Sequence, residues 1–351
     1  MIKVAKSNYY SCDTILSARI RIAVDAMSGD LGPRVVIAAA ENFVALHPDV
    51  DLLLVGDQIQ LQPLVAKSSH LRHIAQVLHA SDVVAMDDDP LSALRQKKSS
   101  SMWVALESLR AGNADACVSA GNTGALLAMA KYLIKTFPVI DRPAICKSMP
   151  VAKGLTYLLD LGANINCTPE HLQQFALMGS VLAEAEGIKR PRVALLNIGS
   201  ESQKGTEVLQ LAQNLLRNDS RIHYVGFVES NNIFAGDEHV IVCDGFHGNI
   251  ALKASEGAAR FISKKISDTL RNNFLNKFLS IIAAPLLKQL REELNPSLYN
   301  GASFLGLQKT VIKSHGGADR KAFMQALVVA REQVVLQVPV RIAQQLSDRT
   351  I

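Results

Sequence analysis

The residues able to do chemistry in this chain are gathered in short turns. Asp25 leads into Ser28-Gly29-Asp30, and Ser119 opens a Ser-Ala-Gly-Asn-Thr-Gly turn that carries Gly121, Asn122, Thr123 and Gly124. Asn164 closes Asp160-Leu-Gly-Ala-Asn, and Asn197 stands ahead of Ile-Gly-Ser-Glu and Lys204. Asp244 opens Asp-Gly-Phe-His-Gly-Asn249, and Lys313 opens Lys-Ser-His315-Gly-Gly. Hydroxyls, carboxamides, an ammonium and small residues suit the holding of an oxyanion. Small residues let backbone N–H groups approach an anion, and a following helix points its positive end at it.

Each turn follows an apolar run of strand length, and most precede a stretch of helical periodicity. In open α/β sheets ligands bind outside the carboxyl ends of the strands. The pattern therefore predicts one sheet with a single polar, phosphate-friendly edge.

Each turn also has a plainer reading. The 119–124 turn is either a phosphate cradle or an ordinary strand-to-helix turn with Thr123 as a cap. Asp25 and Asp30 either orient a catalytic loop or close an Asp turn onto backbone N–H groups. Lys204 is an anion ligand or a surface lysine. Lys313 and His315 place a cation and an imidazole at a strand end, and a lone histidine can equally be structural. Cys243 reads better as a small apolar core residue than as a nucleophile. Asp87-Asp88-Asp89 reads as a turn, because three consecutive side chains point different ways. The chain has no G-x-G-x-x-G after its first strand, no G-x-x-x-x-G-K-[ST], no G-x-S-x-G and no His/Cys set at metal spacing. No cofactor and no metal are expected.

The elements that must position these turns follow from periodicity. Ile20 to Val24 alternates as a strand, and Gly32-Pro33 opens a helix to about His47. Asp51 to Val55 is continuously apolar, as a doubly buried strand should be. Helices are expected over 58–67, 103–111 and 125–135, and from Thr168-Pro169, where Thr caps and Pro takes the first turn. Alternating strands and helices give a mainly parallel sheet with helices on both faces. Residues 250–294 contain no convincing strand. Ile266, Leu270, Phe274 and Phe278 recur there at helical spacing among Lys264, Lys265, Arg271 and Lys277. That segment reads either as a core or dimer helix or as an amphipathic element for anionic lipid. Val311-Ile312 returns as a strand, and Asp319 to about Leu346 is expected as one long helix.

Composition sets outer bounds. The chain has 351 residues, 48% of them hydrophobic and 20% charged, which supplies a sizeable core. A net charge of +5 is too weak to argue for nucleic acid but suits an acidic protein partner or an anionic membrane. Five scattered cysteines without C-x-x-C fit a reduced cytoplasmic protein. Residues 1–19 lack the apolar run of a signal peptide and are expected to be a poorly ordered extension. The apolar stretch 278–287 falls well short of the roughly 20 residues that span a bilayer.

Taken in order, these turns resemble the PlsX family of bacterial phosphate acyltransferases. The motifs are AVDAMSGD at 23–30, RQKKSSSM at 95–102, VSAGNTGAL at 118–126, LDLGAN at 159–164, ALLNIGSE at 194–201, VCDGFHGN at 242–249, YNGASFLGL at 299–307 and VIKSHGGA at 311–318. Ser28 stands where the family usually has Gly, and His247 where Thr is more usual. The resemblance implies a fold like that of phosphotransacetylases and isocitrate/isopropylmalate dehydrogenases. It implies one catalytic domain over 20–351, with 255–296 as a helical protrusion at a dimer or membrane tip.

The resemblance also implies the reaction. A long-chain acyl group passes from acyl carrier protein to inorganic phosphate, and the acyl phosphate feeds a membrane glycerol-3-phosphate acyltransferase. The implied protein is a cytoplasmic, peripherally membrane-associated homodimer. A coenzyme A-dependent phosphate transacylase and a non-catalytic lipid-synthesis scaffold are the alternatives. The expected phosphate and substrate ligands are Gly29, Asp30, the 119–124 turn, Lys204 and Lys313. His315, Asn164, Asn197 and Asn249 are candidates for catalytic hydrogen bonds. Asp25 and Asp244 are expected to orient donors, and Arg95, Lys97 and Lys98 to meet the carrier protein or the phosphate.

Overall fold

The structure is a computed structural model and describes residues 19–271 and 296–347. The expected N-terminal extension up to residue 18, and the part of the helical protrusion that carries Phe274 and Phe278, lie outside the described residues.

In chain order the elements are β1 (Ile20–Asp25), α1 (Pro33–Leu46), β2 (Val50–Gly56), α2 (Gln58–Lys67), α3 (Leu71–Ile74) and β3 (Ala75–His79). Then come α4 (Pro90–Gln96), α5 (Ser101–Arg110), β4 (Ala116–Ser119), α6 (Thr123–Leu133), β5 (Ala144–Val151) and β6 (Gly154–Leu159). They continue as α7 (Pro169–Ala185), β7 (Arg192–Asn197), α8 (Glu207–Arg217), β8 (His223–Glu229), β9 (Val240–Val242) and α9 (Gly245–Arg271). The described chain closes with β10 (Ala302–Leu305), β11 (Thr310–Lys313), α10 (Arg320–Val335) and α11 (Val338–Ser347).

The strands form one sheet in the order β3-β2-β1-β4-β11-β10-β5-β6-β9-β7-β8. β3, β2, β1, β4 and β11 run parallel to one another, as do β6, β9, β7 and β8. Between these halves, β10 is antiparallel to both β11 and β5, and β5 is antiparallel to β6. Three reversals leave the two parallel halves pointing in opposite directions. The single polar edge expected from the sequence is therefore two edges. Turns after β1, β4 and β11 leave one; turns after β6, β9 and β7 leave the other. Strand direction is set by the 144–159 hairpin, which turns through Lys153 into Gly154 at φ 116, and by β10, which is followed by Gly306 at φ 93.

Period-two alternation sorts the strand residues onto two faces. Ala23, Cys117, Val311, Ile145, Leu158, Ile241 and Ala194 face a core shared with Met102, Leu106, Leu126 and Leu252 of α5, α6 and α9. Their neighbours Ile22, Val24, Val118 and Ile312 pack under Phe43 of α1 and Phe323 of α10. On that same face of the other half, Tyr157, Leu159, Val193 and Val242 pack under Phe175 of α7 and Ile342 of α11. Each large side chain so buried contributes roughly 1.5–3 kcal/mol.

Capping explains where the helices start. Asn122, Thr168, Thr206 and Asp319 each accept a backbone N–H through the side chain at the N-cap. The expected last helix is two helices. Gln337 sits at φ 52, which breaks the run, and Pro339 fits the first turn of the next helix. α9 is the longest described helix, at 27 residues. Leu252 anchors its first half in the core. Beyond Gly257 it is mostly exposed, with Phe261 at 63% and Ile262 at 53%.

Candidate active site

Period two places Asp25, Ser119 and Lys313 on one face at the carboxyl ends of adjacent strands. Val24 pairs with Val118, and Lys313 pairs with Ser119. The Ser119 hydroxyl donates to Asp25 Oδ2 at 2.6 Å and accepts the Gly121 N–H at 3.1 Å. The Ser28 hydroxyl donates to the Asp25 carbonyl at 2.8 Å and accepts the Ala120 N–H at 2.9 Å. The first two turns are thus laced together through two serines. The third turn joins them where Ser314 N–H donates to Ser119 O at 2.8 Å and Asp30 N–H donates to Gly316 O at 2.9 Å. Gly29 is required at this junction. Its φ is +90°, and a β-carbon would sit 3.1 Å from Gly316 O and 3.2 Å from the Ala120 methyl. A small cavity behind this junction, towards α1 and α10, is lined by Gly29, Ala120 and Gly316 together with Val35, Val36 and Phe323.

Lys313 is only 8% exposed. Its ammonium donates to Ala120 O at 3.3 Å and to Ser314 O. Burial pulls its pKa down to about 8; the charges of Asp25 and Asp30 oppose that shift and Lys253 adds to it. Asp25 is buried too, and desolvation raises its pKa against the hydroxyls of Ser101, Ser119 and Ser28. The Ser101 hydroxyl is set towards this carboxylate, and neither it nor Asp25 Oδ1 has another hydrogen-bond partner among the described residues.

His315 stands beside this lysine. Its Nδ1 accepts the Gly317 N–H at 3.0 Å, which puts the proton of the neutral ring on Nε2. Burial lowers its pKa, and the charges of Lys253, Lys313 and Lys147 lower it further against Glu256. Asn300 backs the turn, donating to the Ser314 hydroxyl at 2.8 Å and accepting His315 N–H at 3.0 Å. The 119–124 turn is braced from the other side. Asn122 donates to Met86 O and Asp88 O, both at 2.9 Å, while its Oδ1 caps α6. The cap is Asn122, so Thr123 is the first helical residue, exposed, and its first-turn N–H has no intrahelical acceptor.

The remaining predicted residues lie elsewhere. Lys97 is a clamp: it pairs with Asp88 at 2.9 Å and Asp82 at 3.8 Å and donates to Val83 O. Lys98, in the turn after α4, lies 5.8 Å from the Trp103 ring centroid, and Arg95 is exposed on α4. That helix touches the site, since a β-carbon on Gly124 would meet Pro90.

On the opposite edge, Asn164 donates to Pro143 O and to Asp160, both at 2.9 Å. Asp160 also accepts N–H groups of Ile145, Ala163 and Asn164. Asn197 donates to Lys204 O at 3.0 Å and accepts Ile198 N–H, shaping its own loop. Lys204 is half exposed and pairs with Glu201 at 2.8 Å. Asp244 accepts His247 N–H at 3.0 Å and pairs with the ring at 2.6 Å, which starts α9. Asn249 is exposed beside Gly162. Cys243 is buried and its thiol is pushed well above the usual range by desolvation, so it is no nucleophile.

Sequence reading missed Ser101, Asn300, Lys147, Lys253 and Glu256. Ser101 does sit inside a quoted motif, and Asn300 inside another. The other three carry no local signal; only the packing of α9 over β5 brings them to His315.

Fold and site together define an α/β protein in which one sheet edge gathers a buried lysine, an imidazole and a strand-to-helix turn. The sheet and its helices resemble a phosphotransacetylase from Streptococcus pyogenes, with a TM-score of 0.59 at 17% identity over 92% of this chain and 96% of that one. The EutD phosphotransacetylase from Staphylococcus aureus gives a TM-score of 0.58 at 16% identity over 90% and 94%. At such identity the likeness speaks for the fold. The sequence is closer to curated relatives. It is 62% identical over 335 residues to a phosphate acyltransferase of Cellvibrio japonicus, covering 95% of this chain and 99% of that protein. It is 49% identical over 329 residues to a phosphate acyltransferase of Teredinibacter turnerae, covering 94% and 99%. Residues 20–341 match the family described as fatty acid synthesis protein, and the chain belongs to that family.

Proposed function

We propose that this chain transfers a long-chain acyl group from acyl carrier protein to inorganic phosphate. Acyl transfer to phosphate is the part supported by the named relatives and by the phosphotransacetylase-like fold. The observation that carries the reading is the buried Lys313 ammonium at the 119–124 turn, with Asp25 and His315 around it.

The chemistry asks for little more. Phosphate is substantially dianionic near neutral pH, since phosphoester second ionisations lie near 6. One of its oxygens attacks the thioester carbonyl carbon, and a tetrahedral oxyanion forms. That intermediate collapses as the carbon–sulfur bond breaks. The products are an acyl phosphate and a thiolate, whose thiol has a pKa of roughly 8.5 and so leaves without a strong acid. What the protein supplies is placement and preorganised donors. Lys313 and the first-turn N–H groups of α6 hold the phosphate. The Nε2–H of His315 donates to the oxyanion. Asp25 orients Ser119.

The further assignments rest on surface chemistry. Arg95 and Lys98 sit next to the site and suit an acidic carrier protein. The exposed Phe261, Ile262 and Ile266 among Lys264 and Lys265 suit an anionic membrane surface or a second copy. Among the described residues, no helix is long and apolar enough to cross a membrane. We carry residues 20–351 as one catalytic unit, working as a peripherally membrane-associated cytoplasmic homodimer that feeds a membrane glycerol-3-phosphate acyltransferase.

The test uses purified protein with palmitoyl carrier protein and phosphate. An acyl phosphate trapped by hydroxylamine is expected. A yield no higher than the enzyme-free control contradicts the reading. Faster turnover with palmitoyl coenzyme A would move the donor to the alternative.

A further inference from the structure

The row of residues that holds Lys313 continues past the site already described. Lys313 pairs with Ala302 of β10. Ser303 pairs with Cys146 of β5, so one further step of that register sets Ala302 opposite Lys147. Asp25, Ser119, Lys313, Ala302 and Lys147 thus form one row across five strands, all on the face covered by α9. Two strand spacings separate the backbones of the two lysines, about 10 Å, with only a methyl group between them.

α9 closes this gap from above. Glu256 receives Lys147 on Oε1 at 3.7 Å and Lys253 on Oε2 at 3.1 Å. The side chains of Lys147 and Glu256 are each 14% exposed. At 3.7 Å this is a long ion pair, and a half-buried ammonium held by one distant carboxylate oxygen can still donate to a second acceptor. Burying a lysine against a carboxylate that it shares with a second lysine is costly unless an anion completes the set. Burial lowers the pKa of Lys147, with Glu256 opposing and Lys253 assisting. All three charges act on His315.

We propose that Lys147 and Lys253 form the α9-side wall of the phosphate site, opposite Lys313, and that Glu256 is the positioning residue that sets both ammoniums. This rests on the proposed function and adds to it a second cationic contact for the acceptor. Ala302, the residue between the two lysines on this row, presents only a methyl group to the anion. The same chemistry would recognise the phosphodiester of a pantetheine arm, and kinetics separates the two sources.

Initial rates are measured with inorganic phosphate varied at saturating donor, and with donor varied at saturating phosphate. Lys147→Met should raise the KM for phosphate about tenfold or more, the range of one charge-assisted hydrogen bond, with the donor KM within about twofold. Lys147→Arg should restore most of it. Glu256→Gln should raise the phosphate KM by less. Ala302→Leu, which fills the gap and removes no charge, should also raise it, and covers the case in which Lys147→Met folds poorly. An unchanged phosphate KM in Lys147→Met and Ala302→Leu overturns the proposal. A rise confined to the donor KM overturns it too, and gives the cluster to the pantetheine phosphodiester. Phosphate-induced thermal stabilisation is measured beside turnover. Wild type that is stabilised by phosphate, with the stabilisation lost in Lys147→Met, supports this inference even where no acyl phosphate forms; that result would remove only the proposed function.

Discussion

The two edges of the sheet carry the same kinds of residue and use them differently. After β6 and β9, the polar groups are consumed by the protein. Asp160 is buried and takes donors from Ile145, Ala163 and Asn164. Asn164 in turn spends its amide on Pro143 O and that carboxylate. Gly248 lets the start of α9 press against this turn, since a β-carbon there would collide with the Asp160 carbonyl. After β1, β4 and β11, polar groups are equally buried but left with capacity. Asp25 Oδ1 and the Ser101 hydroxyl have only each other, and Lys313 meets only carbonyl oxygens at its ammonium. The Asp160 edge is closed by its own hydrogen bonds, and the proposed function has a ligand complete the other.

This contrast breaks first at Lys313. Lys313→Met should lower kcat/KM for phosphate by about 10²–10³-fold, the scale of removing one preorganised donor, while the unfolding transition stays in place. Full activity in that variant would return this edge to scaffold. The same lysine sets a pH limb. It is an ammonium below about pH 8 and an amine above it, so kcat/KM for phosphate should fall as pH rises through about 8. Its folded pKa lies below the unfolded value of about 10.4, so folding stability should rise between those two pH values. The activity loss is therefore separable from unfolding. Lys313→Arg should lack the limb.

A smaller effect on rate and a larger one on stability are expected at the opposite edge. Asp160→Ala removes the acceptor of four N–H contacts and leaves buried donors. It should cost about 3–5 kcal/mol of unfolding free energy, read from denaturant midpoints, with the KM for phosphate unchanged in the folded fraction. A raised phosphate KM without lost stability would make the two edges alike.

Much of this was legible in the sequence, for a physical reason. Alternation over 20–24, the continuous apolar run over 51–55, Pro33 after Gly32, and Thr168 before Pro169 are local signals, and an element formed at each of them. The turns around Asp25, Ser119 and Lys313 were legible because a tight turn beside a buried strand leaves small polar residues in a row. Strand direction was not. The turn signals for the reversals are single glycines, Gly154 at the β5–β6 turn and Gly306 after β10, and the sequence reading did not take them as hairpins, so the two edges merged into one. Nor was the pairing of Lys147 with Glu256, which are 109 positions apart (256 − 147) and meet only through the docking of α9 on β5. Asn164 and Asn197 looked like ligands because a carboxamide at a strand end reads the same whether it faces a substrate or its own backbone.

The central claim is that phosphate completes the β1–β4–β11 edge. A crystal structure of the full chain with phosphate tests it most directly. The account predicts the anion within hydrogen-bond reach of Lys313 Nζ, of the 119–124 turn and of Lys147. Phosphate seated instead among Asn164, Asn197 and Asn249, with the Lys313 edge empty, would contradict it.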